Sequence, residues 1–280
     1  MERFDVLIVG GGAAGMAAAG ALWAAGCRSA GLVEEKPALG GILRQCVHPG
    51  FAGDLTGPVY VARLLQDFPR EFPCFLNTTV TSLSPNKIAT LSDGRTIAFR
   101  VLILAAGCRE IPFGALPVTG TRPRGVFTAG QMQEMINCHG YRPQGPAVIL
   151  GSGDIGLVMA WQLLTLGLPV TLVEQRDGMT GLPQNQARLA GLPLQFVPNA
   201  TVRKIGGLPF ITEVILSNGK KLPCRTLLSA VGLQPERELL PEATPDWAVL
   251  AGNCSRIHPR IESVLKEGAD AAATALKRLG

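Results

Sequence analysis

The chain has 280 residues, enough for about two domains with sizeable cores. Hydrophobic residues make up 47% and charged residues 17%, which excludes a disordered chain. The net charge of +5 is carried by no dense Lys/Arg run with interleaved aromatics, so a nucleic-acid partner is not expected.

Residues 4–9, FDVLIV, form a near-continuous apolar run of strand length, the pattern of a parallel strand covered on both faces. The motif Gly10-x-Gly12-Ala13-Ala14-Gly15 follows and opens an Ala-rich helix that Gly26 stops. A short strand over 31–33 then ends at Glu34. The uncharged stretch 6–27 is long enough to imitate a membrane span, but its six glycines fit a strand, turn and helix better; no transmembrane segment is expected.

This unit carries its own chemistry. Gly10 permits a tight turn, Gly12 admits a pyrophosphate to the backbone, and Gly15 lets helix and strand close up. The helix N-terminus presents free amides and a partial positive charge to the phosphates. Glu34 lies about 20 residues on, where a carboxylate accepts hydrogen bonds from a ribose. Glu35 and Lys36 join the candidate set or are solvated charges just past the strand.

Residues 87–91 and 96–99 flank the turn Ser92-Asp93-Gly94-Arg95 as a hairpin, and an apolar strand over 101–107 follows. Residues 111–145 hold many Pro and Gly and are expected to contain a crossing between domains. The layout then repeats: strand 147–150, the motif Gly151-x-Gly153-Asp154-Ile155-Gly156, helix 157–166, and strand 169–173 ending at Glu174. A second hairpin, 214–216 with 221–223 about Ser217-Asn218-Gly219-Lys220, precedes an apolar strand 227–232. A second crossing is expected over 234–245 and a helix over 259–279. The expected fold is α/β, with two Rossmann-like, doubly wound, three-layer dinucleotide domains. The domains are placed at 1–116 with 240–280, and at 117–239 as an insertion. Asp154 reads most simply as a helix cap. Glu174 would repel a 2′-phosphate and so favours NAD(H) over NADP(H), although Arg176 two residues on keeps NADP(H) open.

With both motifs placed, the chain resembles the two-dinucleotide-binding-domain flavoproteins, the thioredoxin reductase and glutathione reductase superfamily. The resemblance implies FAD at the first motif and NAD(P)H at the second. Gly40-Gly41 is similar to the flavin-side glycine pair of that family, and Ala105-Ala106-Gly107 to its strand end. The segment 229–235, with Gly232, is similar to the strand returning from the NAD domain, and Gly252-Asn253 to the late FAD motif. There Asn253 stands where the family usually has Asp. Val80 completes the implied cofactor contacts. Residues 39–51 (LGGILRQCVHPGF), 107–110, 120–130 and 151–157 resemble a subgroup that accompanies glycerol-3-phosphate-dehydrogenase-like flavoproteins. Against the family's usual length, the return segment 236–249 is short.

Seven cysteines occur without a C-x-x-C pair or zinc spacing, so neither an internal redox dithiol nor a metal site is expected, and a cytoplasmic, reducing compartment is. Cys46 and His48 are candidate catalytic residues near the flavin, the simpler reading being parts of a packed loop. Cys108 reads as a small buried hydrophobe, Arg109 as a partner for an anion or for nearby acids, and His139 and His258 have no evident partner. The expected activity is FAD-dependent hydride exchange with NAD(P)H. Electrons would pass to or from a flavoprotein dehydrogenase or iron–sulfur subunit in a hetero-oligomer. The alternatives are a non-catalytic FAD-holding subunit and a stand-alone NADH oxidase.

Overall fold

The computed structural model describes residues 1–280. The chain folds as two compact units, Met1–Arg109 with Pro235–Gly280, and Glu110–Gln234.

The first unit begins β1 (Glu2–Val9), α1 (Ala13–Ala24), β2 (Ala30–Val33), α2 (Gly57–Asp67), β3 (Cys74–Phe75), β4 (Val80–Leu83), β5 (Ile88–Leu91), β6 (Thr96–Leu104). Its sheet runs β3-β2-β1-β6-β5-β4. β1 pairs in parallel with β2 and β6, Val6 lying opposite both Ala30 and Val101. Alternate side chains of β1 enter two different cores: Val6 and Ile8 meet α1 and the C-terminal helix, while Leu7 and Val9 meet the hairpin side. That is why the strand reads as unbroken apolar sequence. The hairpin strand and the apolar strand expected separately over 96–107 are one strand, β6. Its start pairs antiparallel with β5 and its end parallel with β1.

β7 (Cys108–Glu110) leads into the second unit: β8 (Thr119–Gly120), β9 (Val126–Thr128), α3 (Ala129–His139), β10 (Ala147–Leu150), α4 (Asp154–Thr165), β11 (Val170–Val173), α5 (Pro183–Ala187), β12 (Gln195–Val197), β13 (Val202–Gly206), β14 (Glu213–Leu216), β15 (Lys221–Pro223) and β16 (Thr226–Ser229). A parallel sheet β12-β11-β10-β16-β9 is covered by helices on one face. The four-stranded sheet β15-β14-β13-β8 covers the other. Here the second hairpin differs from the first: Cys224 and Arg225 separate β15 from β16, so the hairpin joins the covering sheet. Helix α3 lies inside the stretch read as a Pro/Gly-rich crossing. Thr128 caps it by accepting from the Gln131 amide, and Gly140 ends it in the left-handed region. Helix α2, with Pro58 in its first turn, is also absent from the sequence reading.

The chain returns through β17 (Leu233–Pro235) and β18 (Ala248–Leu250), which adds to β6, and ends in α6 (Ile261–Leu279). The first division falls before 116/117 because Phe113, Leu116 and Val118 pack in the second unit's core. The second falls before 239/240 because Leu239 and Leu240 pack in the first unit.

Candidate functional site

In the first unit the glycine motif forms the turn from β1 to α1. The Gly10 amide donates to the Val33 carbonyl at 2.8 Å, tying the turn to the end of β2. Gly10 has φ +104, and a Cβ on Gly15 would fall on the Gly10 carbonyl oxygen, so both glycines are required by the chain itself. Gly12 is different. Its φ of −72 suits any residue, and a Cβ there would meet nothing nearer than the Gly41 Cα at 4.0 Å. Ala13, Ala14 and Gly15 form the first turn of α1, ahead of its first bond, Met16 N–H to the Gly12 carbonyl. No side chain caps this end.

Glu34 is buried at the end of β2. Its Oε2 accepts from the Gly11 amide at 2.5 Å and its Oε1 from the Lys36 amide at 2.8 Å. The carboxylate is therefore fixed beside the helix mouth. Glu35 and the Lys36 side chain are exposed. Gly40 donates to the Gly11 carbonyl at 2.8 Å, which seats the Gly40-Gly41 pair against the motif. Ala105, Ala106 and Gly107 follow β6, the Ala105 amide bonding the Val9 carbonyl. Gly252 abuts Ala14, where an added Cβ would lie 2.7 Å from the Ala14 Cβ. Gly10, Gly12, Glu34, Gly40, Gly41, Ala105, Ala14 and Gly252 thus surround one helix end. Val80 packs in the apolar core on the hairpin side.

The second unit repeats the arrangement. Gly151 bonds the Val173 carbonyl at 2.8 Å, and a Cβ on Gly156 would fall on the Gly151 carbonyl oxygen. A Cβ on Gly153 would meet no atom within 4 Å, and its φ is −66. Glu174 is buried and accepts from the Ser152 amide at 2.9 Å, the Ser152 hydroxyl at 2.6 Å and the Arg176 amide at 3.0 Å. Burial alone would raise its pKa. The Ser152 hydroxyl and the amides of Arg176, Ser152 and Gln175 outweigh it and hold the carboxyl below its ordinary value. Ser152 had no signal in the sequence; its equivalent in the first motif is Gly11.

Asp154 does not cap α4. Gly153 occupies the cap position, and Asp154 Oδ1 accepts from the Leu182 amide and the Asn185 side chain, each at 2.7 Å. Together with Thr180 N–H to Ser152 Oγ at 3.0 Å, this ties 180–185 to the motif. Ile155 sits in the first turn of α4, partly buried against the helix-side core. Gly232 accepts from the Ile111 amide at 3.2 Å.

Cys46 and His48 follow the 3₁₀ turn Gly41–Gln45. The Cys46 carbonyl accepts from Gly57 at 2.7 Å, anchoring the start of α2, and His48 Nδ1 lies 3.0 Å from the Pro49 carbonyl. Asn253 is engaged within the chain: its Oδ1 accepts from the His258 amide at 2.9 Å and its Nδ2 lies 3.7 Å from Cys108 Sγ. His258, expected to lack a partner, is buried with Nε2 2.8 Å from Glu267 Oε2. His139 comes within 4.0 Å of Glu134. Arg109 pairs with Glu236 and Glu238. None of the seven cysteines is joined in a disulfide. Burial pushes the thiols of Cys224 and Cys254 up to about 12, so neither is a thiolate at neutral pH.

The sequence profile of the pyridine nucleotide-disulphide oxidoreductases matches residues 4–247. Hydrogen cyanide synthase subunit HcnB of Pseudomonas protegens is 33% identical over 202 residues, which are 68% of this chain and 42% of that protein. The ferredoxin reductase component of chlorobenzene dioxygenase from Cupriavidus sp. is 27% identical over 85% of this chain and 60% of that protein. The chain thus spans less than two thirds of the length of these relatives. The thioredoxin reductase of T. acidophilum shares the fold, with a TM-score of 0.80 at 20% identity over 99% of both chains. No helix is long and apolar enough to cross a membrane. The chain belongs to the pyridine nucleotide-disulphide oxidoreductase family.

Proposed function

We propose that the first unit holds FAD, that the second holds NADH in preference to NADPH, and that hydride passes between them. One observation carries this reading: Gly12 and Gly153 are glycines that nothing in the chain requires. Both sit at an uncapped helix mouth beside a buried carboxylate. A diphosphate approaching the amides of 13–15 or 154–156 is what would need the missing side chain. Glu34 and Glu174 then take the ribose hydroxyls with the lone pairs left over from their backbone bonds. A Glu174 held ionised by Ser152 disfavours a 2′-phosphate, since like charges at close range cost several kcal/mol.

When bound, FAD and the nicotinamide supply the hydride chemistry. The chain's own residues orient them. Gly40, Gly41, Ala105, Ala106, Gly107, Gly252 and Asn253 would line the flavin side, with Glu35 and Lys36 at its rim, while Val80 would support it from the core behind. Gly151, Asp154, Ile155, Gly156 and Gly232 shape the nicotinamide nucleotide site. Cys46 and His48 stand as the thiol and imidazole that handle a proton beside the flavin.

The names of the relatives, a subunit and a reductase component, support exchange of electrons with a partner protein. The segments 39–51, 107–110, 120–130 and 151–157 favour a glycerol-3-phosphate-dehydrogenase-like flavoprotein as that partner, with an iron–sulfur subunit as the other candidate. Seven cysteines outside any disulfide suit the cytoplasm. Anaerobic titration of the FAD-loaded protein with NADH tests the core of the reading. The flavin absorbance is expected to bleach, and about tenfold more NADPH to be needed for the same loss. A flavin spectrum unchanged by either nucleotide defeats it.

A further inference from the structure

Two surfaces, one on each unit, are apolar at the centre and carry charges of opposite sign nearby. The first lies on the second unit. The turn from β13 to β14 leaves Leu208 70% and Phe210 52% exposed, with Pro209 exposed between them. This tip is held in place: the Arg124 amide donates to the Pro209 carbonyl and the Ile211 amide to the Arg124 carbonyl, each at 2.9 Å. The Arg124 guanidinium lies 5.9 Å from the Phe210 ring centroid. A bulge between Val202 and Lys204 turns Arg203 and Lys204 both outward, and Lys204 and Lys221 flank Ile215 on that face. None of Arg124, Arg203, Lys204 and Lys221 pairs with a carboxylate. Arg95, Arg100 and Arg109 of the first unit do, while Arg63, Arg70 and Lys87 there do not.

The second surface lies on the first unit. It is an apolar groove of about 410 Å³ lined by Leu83, Pro85, Leu239, Pro241, Pro245 and Trp247. Glu242 and Asp246 follow two of its prolines and are exposed; their carboxylates are in no ion pair, and the Asp246 carbonyl accepts from Arg278.

We propose that the chain self-associates, the apolar tip 208–210 of one copy entering the Leu83–Trp247 groove of a second, with Arg124 and Lys204 facing Glu242 and Asp246. A groove in this size range accepts more than one apolar side chain. Exposed apolar groups rimmed by charge mark association sites. An anionic membrane or a nucleic acid would meet the basic tip and leave the groove empty; a second copy fills both with one contact. The apolar insertion supplies the affinity, and the charges set register and rate. The inference is independent of which nucleotide each unit binds.

Sedimentation velocity of the full FAD-loaded chain tests it. Over about 1 to 100 µM protein the weight-average mass should rise from monomer to dimer or larger. About 0.5 M salt should weaken this by screening the charged rim. Leu208→Asp should abolish association. Arg124→Glu with Lys204→Glu, and separately Glu242→Lys with Asp246→Lys, should each weaken it at least about tenfold. Mixing the two charge-reversed proteins should restore it. Melting temperature and flavin content report that each variant is folded. A chain that stays monomeric throughout overturns the proposal. So does association that survives Leu208→Asp, ignores charge reversal, or is not restored by mixing. Binding to phosphatidylglycerol vesicles or duplex DNA by a chain that remains monomeric also counts against it.

Discussion

At the scale of single residues, the two motifs separate glycines that the chain itself requires from glycines that it does not. Gly12→Ala places its methyl in open space at an ordinary φ, and the lower chain entropy offsets the loss of glycine at the helix N-cap, so the apo protein should stay within about 1 kcal/mol of the parent. Its flavin content should nevertheless fall. Gly15→Ala drives a methyl into the Gly10 carbonyl and should cost about 1–3 kcal/mol of apo stability. Denaturant unfolding with a flavin-to-protein absorbance ratio reads both. If Gly12→Ala keeps full flavin, the diphosphate is not where the proposal puts it. The carboxylates make a second pair. Glu34→Ala should weaken FAD retention by about 1.5–3 kcal/mol, roughly ten- to a hundredfold. Glu174→Ala should leave flavin near the parent level and raise KM for NADH. Equal flavin loss in both variants contradicts the assignment of the two sites.

Among the elements, α6 shows how a distant segment positions the first motif. Gly268 of α6 lies against the first turn of α1, and a Cβ there would fall on the Ala14 carbonyl oxygen. Replacing a helical Gly by Ala ordinarily gains up to about 1 kcal/mol. Gly268→Ala should instead lower the melting temperature, because α6 must lift from α1, and should loosen FAD with it. A raised melting temperature would show that the two helices are not seated this way. The elements also differ in how openly the sequence announced them. Apolar runs bounded by glycine, such as β1, β10 and α4, were readable in place. Helix α3 was hidden by the prolines around it, although Thr128 and Gly140 carried its capping signals. The two hairpins look alike in sequence, yet β5 continues through its partner into the parallel sheet while β14 and β15 belong to a separate one. Only pairing partners distant in sequence distinguish those outcomes.

For the whole molecule, the second unit is one continuous segment with its own two cores. Residues 110–234 expressed alone should therefore unfold cooperatively and protect against thermal melting in the presence of NADH. The complementary chain, with Arg109 and Pro235 joined by a short Gly-Ser linker, should keep FAD. Calorimetry of the two fragments checks this. A segment 110–234 that shows no cooperative transition would mean its cores depend on the rest of the chain.

What the sequence settled by itself was local and repeated. Strand, glycine turn, helix and terminal acid lie within a few dozen residues, and backbone sterics and helix-end electrostatics give that order one meaning. It located two such units and put their glycines, with Glu34 and Glu174, at the helix mouths where the structure has them. Tertiary structure decided what depends on partners far along the chain. Ser152 locks Glu174, Asp154 anchors 180–185 rather than capping α4, Asn253 and His258 are tied to Cys108 and Glu267, and the divisions fall where Phe113 and Leu240 find their cores. A side chain's role at such places is set by which neighbour satisfies its hydrogen bond or covers its apolar surface. Neighbours tens of residues away leave no trace in local spacing.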